Sequence, residues 1–242
     1  MDNWAWFEQE AKGLGVNLPS AATEAFRQFH GALLTANQTM NLTRIVSERD
    51  AIIKHYLDAL SFLTLVPATL NAQASRLLDL GTGAGIPGIP LLIARPHWTG
   101  VLVDAVGKKV AFVNDCLTQL SLRESIAIQE RSEVLGHHAA HRERYDLVVA
   151  RAVAATPELI ELTVPFLKVG GCLIISKGQK GAEELQAAQK AITVLGAEVD
   201  HHIALELPDG LGQRHLTRII KRHTTPRHYP RSVGLPHRKP LQ

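Results

Sequence analysis

Cysteine is nearly absent: Cys116 and Cys172 are the only two in 242 residues. Two thiols cannot build a disulfide framework or a cysteine zinc cluster. Long apolar runs are missing too, so no segment reads as a membrane span. The opening residues, Met1-Asp2-Asn3-Trp4-Ala5-Trp6-Phe7-Glu8, lack the basic region of a signal peptide. Asn37-Gln38-Thr39 and Asn41-Leu42-Thr43 fit the glycosylation pattern, but without a secretion signal both read as chance, and the cytoplasm is the expected location. There is no internal repeat. The last absence is local: residues 210–242 contain no Asp or Glu.

Those same residues carry eight Lys/Arg, whereas residues 1–70 and 71–209 each hold more acids than bases. The overall charge of +3 therefore conceals a concentrated basic ending. Such a block suits a polyanionic partner. It also suits a solvated, disordered tail. Elsewhere the composition is that of an ordinary globular chain, 45% hydrophobic and 20% charged, able to bury a sizeable core.

The periodicity divides the chain. Trp4, Phe7 and Ala11 share a helical face, and Ala25, Phe26, Phe29, Leu33 and Leu34 follow helical spacing. Ser47 and Asp50 form a capping-box pattern before a third helix that buries Ile52, Ile53, Tyr56, Leu57, Leu60 and Leu63 and stops before Pro67. From residue 76 strands alternate with helices. Strands are expected at 77–80, 101–104, 126–129, 145–150 and 171–177, with helices at 108–120, 157–167 and 182–195. This alternation predicts an α/β fold with a parallel sheet covered on both faces. Residues 202–207 and 215–221 are both strand-like with no helix between them, so they form an antiparallel hairpin. A mostly parallel, Rossmann-like seven-stranded sheet with an antiparallel last strand is typical of class I methyltransferases. The expected organisation is a helical extension at 1–70 packed on the core, a ligand-binding domain at 71–223, and a basic, Pro-rich tail at 224–242. Prolines 226, 230, 236 and 240 predict no regular structure in that tail.

One loop carries chemistry. Asp79-Leu80-Gly81-Thr82-Gly83-Ala84-Gly85-Ile86-Pro87-Gly88 joins the first strand to a helix, where open α/β sheets bind ligands. Two registers fit. Gly83-x-Gly85-x-x-Gly88 matches a dinucleotide fingerprint, and Asp79-x-Gly81-x-Gly83-x-Gly85 matches an adenosylmethionine loop. The second register explains the acid at the strand end, which organises the loop or holds the ligand's ammonium. Asp104 ends the next strand, where an acid serves ribose hydroxyls in either case. The structural alternatives are a loop-bracing Asp79 and a turn-forming Asp104.

At this loop the sequence resembles the bacterial 16S ribosomal RNA guanine-N7 methyltransferase family, RsmG or GidB. The matching stretches are Met40–Thr43, Lys54–Leu60, Leu78–Leu91, Val103–Lys109, Ala150–Ala154, Ser176–Gln179 and Tyr229-Pro230-Arg231 with Gly234, Pro236, Pro240 and Leu241. The Gly-Ile-Pro-Gly-Ile-Pro run and the Arg151 motif are the specific ones. The resemblance implies S-adenosylmethionine held at Gly81, Ile86, Ser132, Glu133 and Arg151, with 16S rRNA or the small ribosomal subunit as partner. Ala150, Ser132 and Ala105 depart from residues common in the family.

Methyl transfer needs alignment, exclusion of water and a nucleophilic lone pair. The Asn/Asp-Pro-Pro-aromatic loop used on exocyclic amines is missing after the fourth strand, where Ala150-Arg151-Ala152-Val153 stands instead. Neither cysteine is placed to attack a pyrimidine carbon. Guanine N7 needs neither device. Arg151 is the positioning candidate for cofactor, guanine O6 or a phosphate; its bland alternative is an ion pair with Glu158 or another acid. Lys177 could hold an RNA phosphate, as could Arg227, Arg231, Arg238 and Lys239 in the tail, although the tail's end could instead pack on the domain. Removing the tail is expected to spare cofactor binding. His55 and Asp58 either overhang the pocket or decorate a helix surface. His137, His138 and His141 read as a polar loop, and no metal site is expected. The chain is expected to be a monomer. Competing readings are an NAD-dependent oxidoreductase and a non-catalytic RNA-binding protein of the same fold.

Overall fold

The computed structural model describes residues 2–151 and 153–241. Helices α1 (Asn3–Gly13) and α2 (Ala22–Met40) come first. A continuous helical run follows: α3 (Glu48–Ala51), a π-helical segment (Ile52–Leu57), α4 (Asp58–Ser61) and a 3-10 turn (Phe62–Thr64). Ser47 caps this run by accepting the Asp50 N–H at 3.2 Å, which satisfies one of the free amides of a helix start. The short α5 (Ala68–Ala72) leads into the sheet.

The sheet contains β1 (Arg76–Leu80), β2 (Thr99–Asp104), β3 (Ile126–Gln129), β4 (Tyr145–Arg151), β5 (Leu167–Lys177), β6 (Ala197–Glu206) and β7 (Gln213–Lys221). Its order is β3-β2-β1-β4-β5-β7-β6. The first five strands pair in parallel, and β7 runs antiparallel to both β5 and β6. The connecting helices are α6 (Gly88–Ala94), α7 (Gly107–Gln119), α8 (Ser132–Leu135), α9 (Thr156–Thr163), α10 (Gly181–Ala187) and α11 (Gln189–Val194), with α12 (Leu235–Arg238) near the end.

Two cores sit on the two faces, as the two-residue period of strands dictates. Leu77, Leu147, Val149 and Ile174 point to the face covered by the N-terminal helices, where they join Phe26, Ile52, Tyr56 and Leu60. Leu78, Val148, Leu173 and Ile175 point to the opposite face and pack with Leu159, Ile160 and Ile192 of α9 and α11. The N-terminal helices thus share one apolar cluster with the sheet. The helical run at 48–64 is buried on nearly every side between α1, α2 and the sheet.

Two expectations need correction. The single helix foreseen at 182–195 is two helices, α10 and α11, joined at Ala188, whose N–H bonds the Leu185 carbonyl three residues back. No Gly or Pro marks that joint, so nothing in the local sequence signals it. The tail is also not devoid of regular structure. Pro236 lies in the first turn of α12, where a missing N–H costs nothing because that amide would be unpaired anyway. His137 and His141 of the polar loop have protein partners: the Pro230 carbonyl at 2.7 Å and the Tyr145 hydroxyl at 2.5 Å.

Candidate functional site

The carboxyl ends of β1, β2 and β4 open onto the glycine loop. Asp79 is fully buried there. Its Oδ2 accepts from Thr82 Oγ1 at 2.6 Å and from the Gly88 N–H at 2.8 Å, while Oδ1 has no partner among the described residues. Burial raises its pKa to about 6, against the pull of those two hydrogen bonds and the nearby Arg151 charge. Gly81, Gly83 and Gly85 have φ of 69°, 59° and 84°, a region glycine enters without strain. A Cβ on Gly81 would stand 2.6 Å from Val153 Cγ2. Asp104 fixes the loop from β2: its Oδ2 accepts from Gly83 N–H at 3.0 Å and its Oδ1 from Val106 N–H at 2.9 Å. Each of its oxygens retains a further lone pair.

Beside this loop lies a cavity of about 220 Å³, walled by Gly81, Asp104, Ser132, Glu133, Val153 and Glu158. A second cavity of about 170 Å³ continues over Gly81, Gly83 and Ile86 to Thr43, His55 and Arg151. A third, of about 320 Å³, begins at His55 and Arg151 and runs past Lys54, Lys177 and Arg214. The three share residues in sequence, so they form a path from the glycine loop to a basic pocket.

Arg151 stands where the second and third cavities meet. Its Nη1 donates to Asp58 Oδ2 at 3.0 Å and to the Lys54 carbonyl at 2.8 Å. Nε and Nη2 take no partner among the described residues. Asp58 is buried and also accepts from Arg214 Nε at 3.1 Å. The ion pair is therefore made with Asp58 and not Glu158, and it aims the guanidinium without using up its donors. His55 Nε2 lies 2.9 Å from Thr43 Oγ1. Burial and then the Arg151 charge push the His55 pKa down to about 4, so the ring is neutral at pH 7.

Of the residues expected from sequence, Gly81, Gly83, Ile86, Asp104, Ser132, Glu133 and Arg151 line this path, whereas Asp79 is fully buried and braces the glycine loop through Thr82 and Gly88. Gly85 contributes its turn, with Ile89 packed where a Cβ would be. Lys177 lines the basic pocket, but its Nζ is paired with Glu184 at 2.9 Å and bonded to the Ala154 carbonyl. Arg231 is bound to buried Glu161, so its guanidinium is not free for phosphate, whereas Arg227, Arg238 and Lys239 are exposed. Ala152 of the Arg151 motif lies outside the described residues. Sequence reasoning did not assign Lys54, Thr43 or Arg214 to the site, and it named Glu158 only as an ion-pair partner for Arg151. Arg214 reaches the site only because β7 lies beside β5, which no local spacing reveals.

The site also discriminates between the two glycine registers. A dinucleotide's pyrophosphate would need free amides at the start of α6. Here the Gly88 N–H is already bound to the Asp79 carboxylate.

A seven-stranded sheet with this order, a ligand crevice at the carboxyl ends of its parallel strands and a reversed β7 define a class I methyltransferase fold. Solved structures agree on the fold. The 16S rRNA (adenine(1408)-N(1))-methyltransferase from Catenulisporales acidiphilia superposes with a TM-score of 0.53 at 17% identity, over 65% of this chain and 92% of that one. The Methanococcus jannaschii fibrillarin pre-rRNA processing protein gives 0.50 at 15% identity, over 62% and 68%. The family model for rRNA small subunit methyltransferase G (GidB) matches residues 22–217, and the chain belongs to that family. Curated relatives named ribosomal RNA small subunit methyltransferase G include one from Leuconostoc citreum, 39% identical over 94% of each chain. Another, from Ligilactobacillus salivarius, is 39% identical over 98% of each chain.

Proposed function

We propose that the chain transfers a methyl group from S-adenosylmethionine to N7 of a guanine in 16S rRNA, as a monomer in the cytoplasm. The observation that carries this reading is the placement of Arg151 between the glycine-loop crevice and the basic pocket. The names of the relatives point to small-subunit ribosomal RNA. Among the described residues, no helix is long and apolar enough to cross a membrane.

The crevice residues fit the cofactor. Asp104 would accept from the ribose hydroxyls with its spare lone pairs, and the unpartnered Asp79 Oδ1 leaves buried negative charge for an ammonium. Ser132 and Glu133 close the far wall. Bound there, the cofactor supplies a methyl group on a cationic sulfur. The chain's own task is then to orient a guanine and exclude water. Arg151, fixed by Asp58 and Lys54, offers its free N–H donors to guanine O6 or a phosphate; gripping O6 and N7 together would cover the atom to be methylated. Lys54, paired with Asp50 at 2.9 Å, and Arg214, paired with Asp58 at 3.1 Å, line the pocket with N–H donors that an RNA phosphate could share. No general base is required, because N7 already carries an in-plane lone pair. His55, with its depressed pKa, is neutral and paired with Thr43.

The deciding experiment incubates the protein with labelled adenosylmethionine and either 16S rRNA or small subunits, then digests the product. N7-methylguanosine as the sole labelled nucleoside is expected. Label in an amine, a ribose or a pyrimidine would overturn the assignment of the atom attacked.

A further inference from the structure

The C-terminal segment looks from sequence like an RNA arm, but the structure ties it to the crevice. Arg142 holds it at several points: Nη1 donates to the Tyr229 carbonyl at 2.7 Å and Nη2 to the Thr225 carbonyl at 2.8 Å. The same Nη1 donates to the carbonyl of Gly136 at 3.0 Å, directly after α8. Pro230 fills the space beside Gly136, where a Cβ would stand 2.9 Å from the proline ring. Arg231 then makes a forked pair with Glu161 of α9. Nε lies 2.9 Å from Oε1 and Nη2 2.6 Å from Oε2, and the Arg231 N–H adds a third bond to Oε1 at 2.8 Å. Glu161 is completely buried. Arg231 Nη2 also donates to the Lys239 carbonyl at 2.7 Å, closing the segment on itself.

Between these anchors the chain touches two of the carboxylates that line the crevice, Glu133 and Glu158. The Gly234 N–H donates to Glu133 Oε1 at 2.9 Å, from a backbone at φ +76°. His237 Nδ1 lies 3.0 Å from Glu158 Oε2. Glu133 and Glu158 both line the 220 Å³ cavity. Glu133 Oε2 takes no hydrogen bond among the described residues, so the contact from Gly234 fixes the carboxylate and leaves one oxygen for a ligand donor.

We propose that residues 225–239 form a strap that builds the cofactor wall, and that Arg231 and Gly234 are positioning residues acting through Glu161 and Glu133. The inference rests on the reading of this crevice as the adenosylmethionine site. It reverses the sequence expectation that the tail is dispensable for cofactor binding. A carboxylate with one oxygen pinned is preorganised to accept from a ribose hydroxyl or the adenine amine. The same carboxylate on an unstrapped α8, a helix of one turn, would have to be ordered at the moment of binding.

The test uses the full chain and S-adenosylhomocysteine as the calorimetric probe. The paired substitution Glu161→Gln with Arg231→Met removes the anchor without leaving a buried charge alone. It is expected to weaken the probe about tenfold, and to raise KM for adenosylmethionine by a similar factor while kcat at saturation changes less than about twofold. Gly234→Ala meets no atom within 4 Å of the added Cβ, yet strains the positive φ. A loss of about threefold or more is expected from it. In a Glu133→Gln background the strap substitutions should add little, because the effect passes through that carboxylate. Two results would overturn the strap: undiminished probe affinity in folded variants, or full additivity with Glu133→Gln. If the paired variant does not fold, Gly234→Ala alone decides. Failure of the unsubstituted protein to bind the probe would instead sink the cofactor reading.

Discussion

The two walls of the crevice are built by opposite strategies. The glycine-loop wall is built mainly within its own loop, where Asp79 bonds Thr82 and Gly88 and three glycines supply the turns, braced only by the end of neighbouring β2 through Val103 and Asp104. The opposite wall is assembled from afar. Glu133 is held by Gly234, Glu161 by Arg231, and Arg151 by Asp58 from the N-terminal helices. A local wall survives as long as its loop keeps its sequence. A distant wall depends on charges that become costly when one partner is lost. Substitutions of the turn glycines should therefore act mainly on ligand binding, and those at the second wall on binding and stability together.

The sharpest break comes from Asp58→Ala. It strands the half-buried Arg151 and Arg214 guanidiniums side by side, and removal of their buried carboxylate partner costs about 3 kcal/mol. A fall of that order in urea-denaturation stability is expected, with loss of methyl transfer; a stable, active variant would remove the distinction between the walls. Gly81→Ala should have the next largest effect. Its Cβ would collide with Val153 at a φ of 69°, and cofactor affinity should fall by roughly 1–3 kcal/mol in calorimetry. Stability should change less than binding.

Asp79 sharpens the comparison through pH. Its folded pKa, raised from 3.8 to about 6, means the folded state binds more protons than the unfolded state in that window. Stability from this group is thus highest below about pH 4 and declines as pH rises through 6, by about 3 kcal/mol in all at 1.36 kcal/mol per unit. Asp79→Asn should raise the urea midpoint at pH 7.5 and leave it nearly unchanged at pH 4.5. Cofactor affinity of the unsubstituted protein should fall below pH 6 as the carboxylate protonates. An equal urea shift at both pH values would show that Asp79 is not the titrating group.

The smallest expected effect is none. With His55 neutral and no base required, single-turnover methyl transfer should vary little between about pH 6.5 and 8.5. Arg151→Ala should lower the rate yet keep that profile flat, and Arg151→Lys should restore it only in part, because an ammonium lacks the guanidinium fork. A tenfold rise per pH unit would point to base-assisted chemistry instead.

This contrast also explains what could be read in the sequence. The strands, the hairpin and the acid-glycine register announce themselves because hydrophobic period and turn chemistry are short-range. Asp79 and Asp104 fall at strand ends for the same reason. Arg214, Lys54 and Glu158 do not, since their roles arise from strand order and helix docking. Arg231 was misplaced for a related cause: a basic run shows its charge, but not the buried Glu161 that neutralises one member of it. The joint at Ala188 left no trace because alanine suits either side of a helix break.

The helical run from Glu48 to Thr64 has a further consequence. Most of its residues are buried between α1, α2 and the sheet, and it carries Lys54, His55 and Asp58. Its amides can exchange with solvent deuterium only when the covering helices lift away or the run itself unravels. Either opening would also release Asp58 from Arg151. Exchange at Ile52–Leu63 would therefore run as a clock for the integrity of the pocket that Lys54, His55 and Asp58 line, and a ligand gripping Arg151 should slow it.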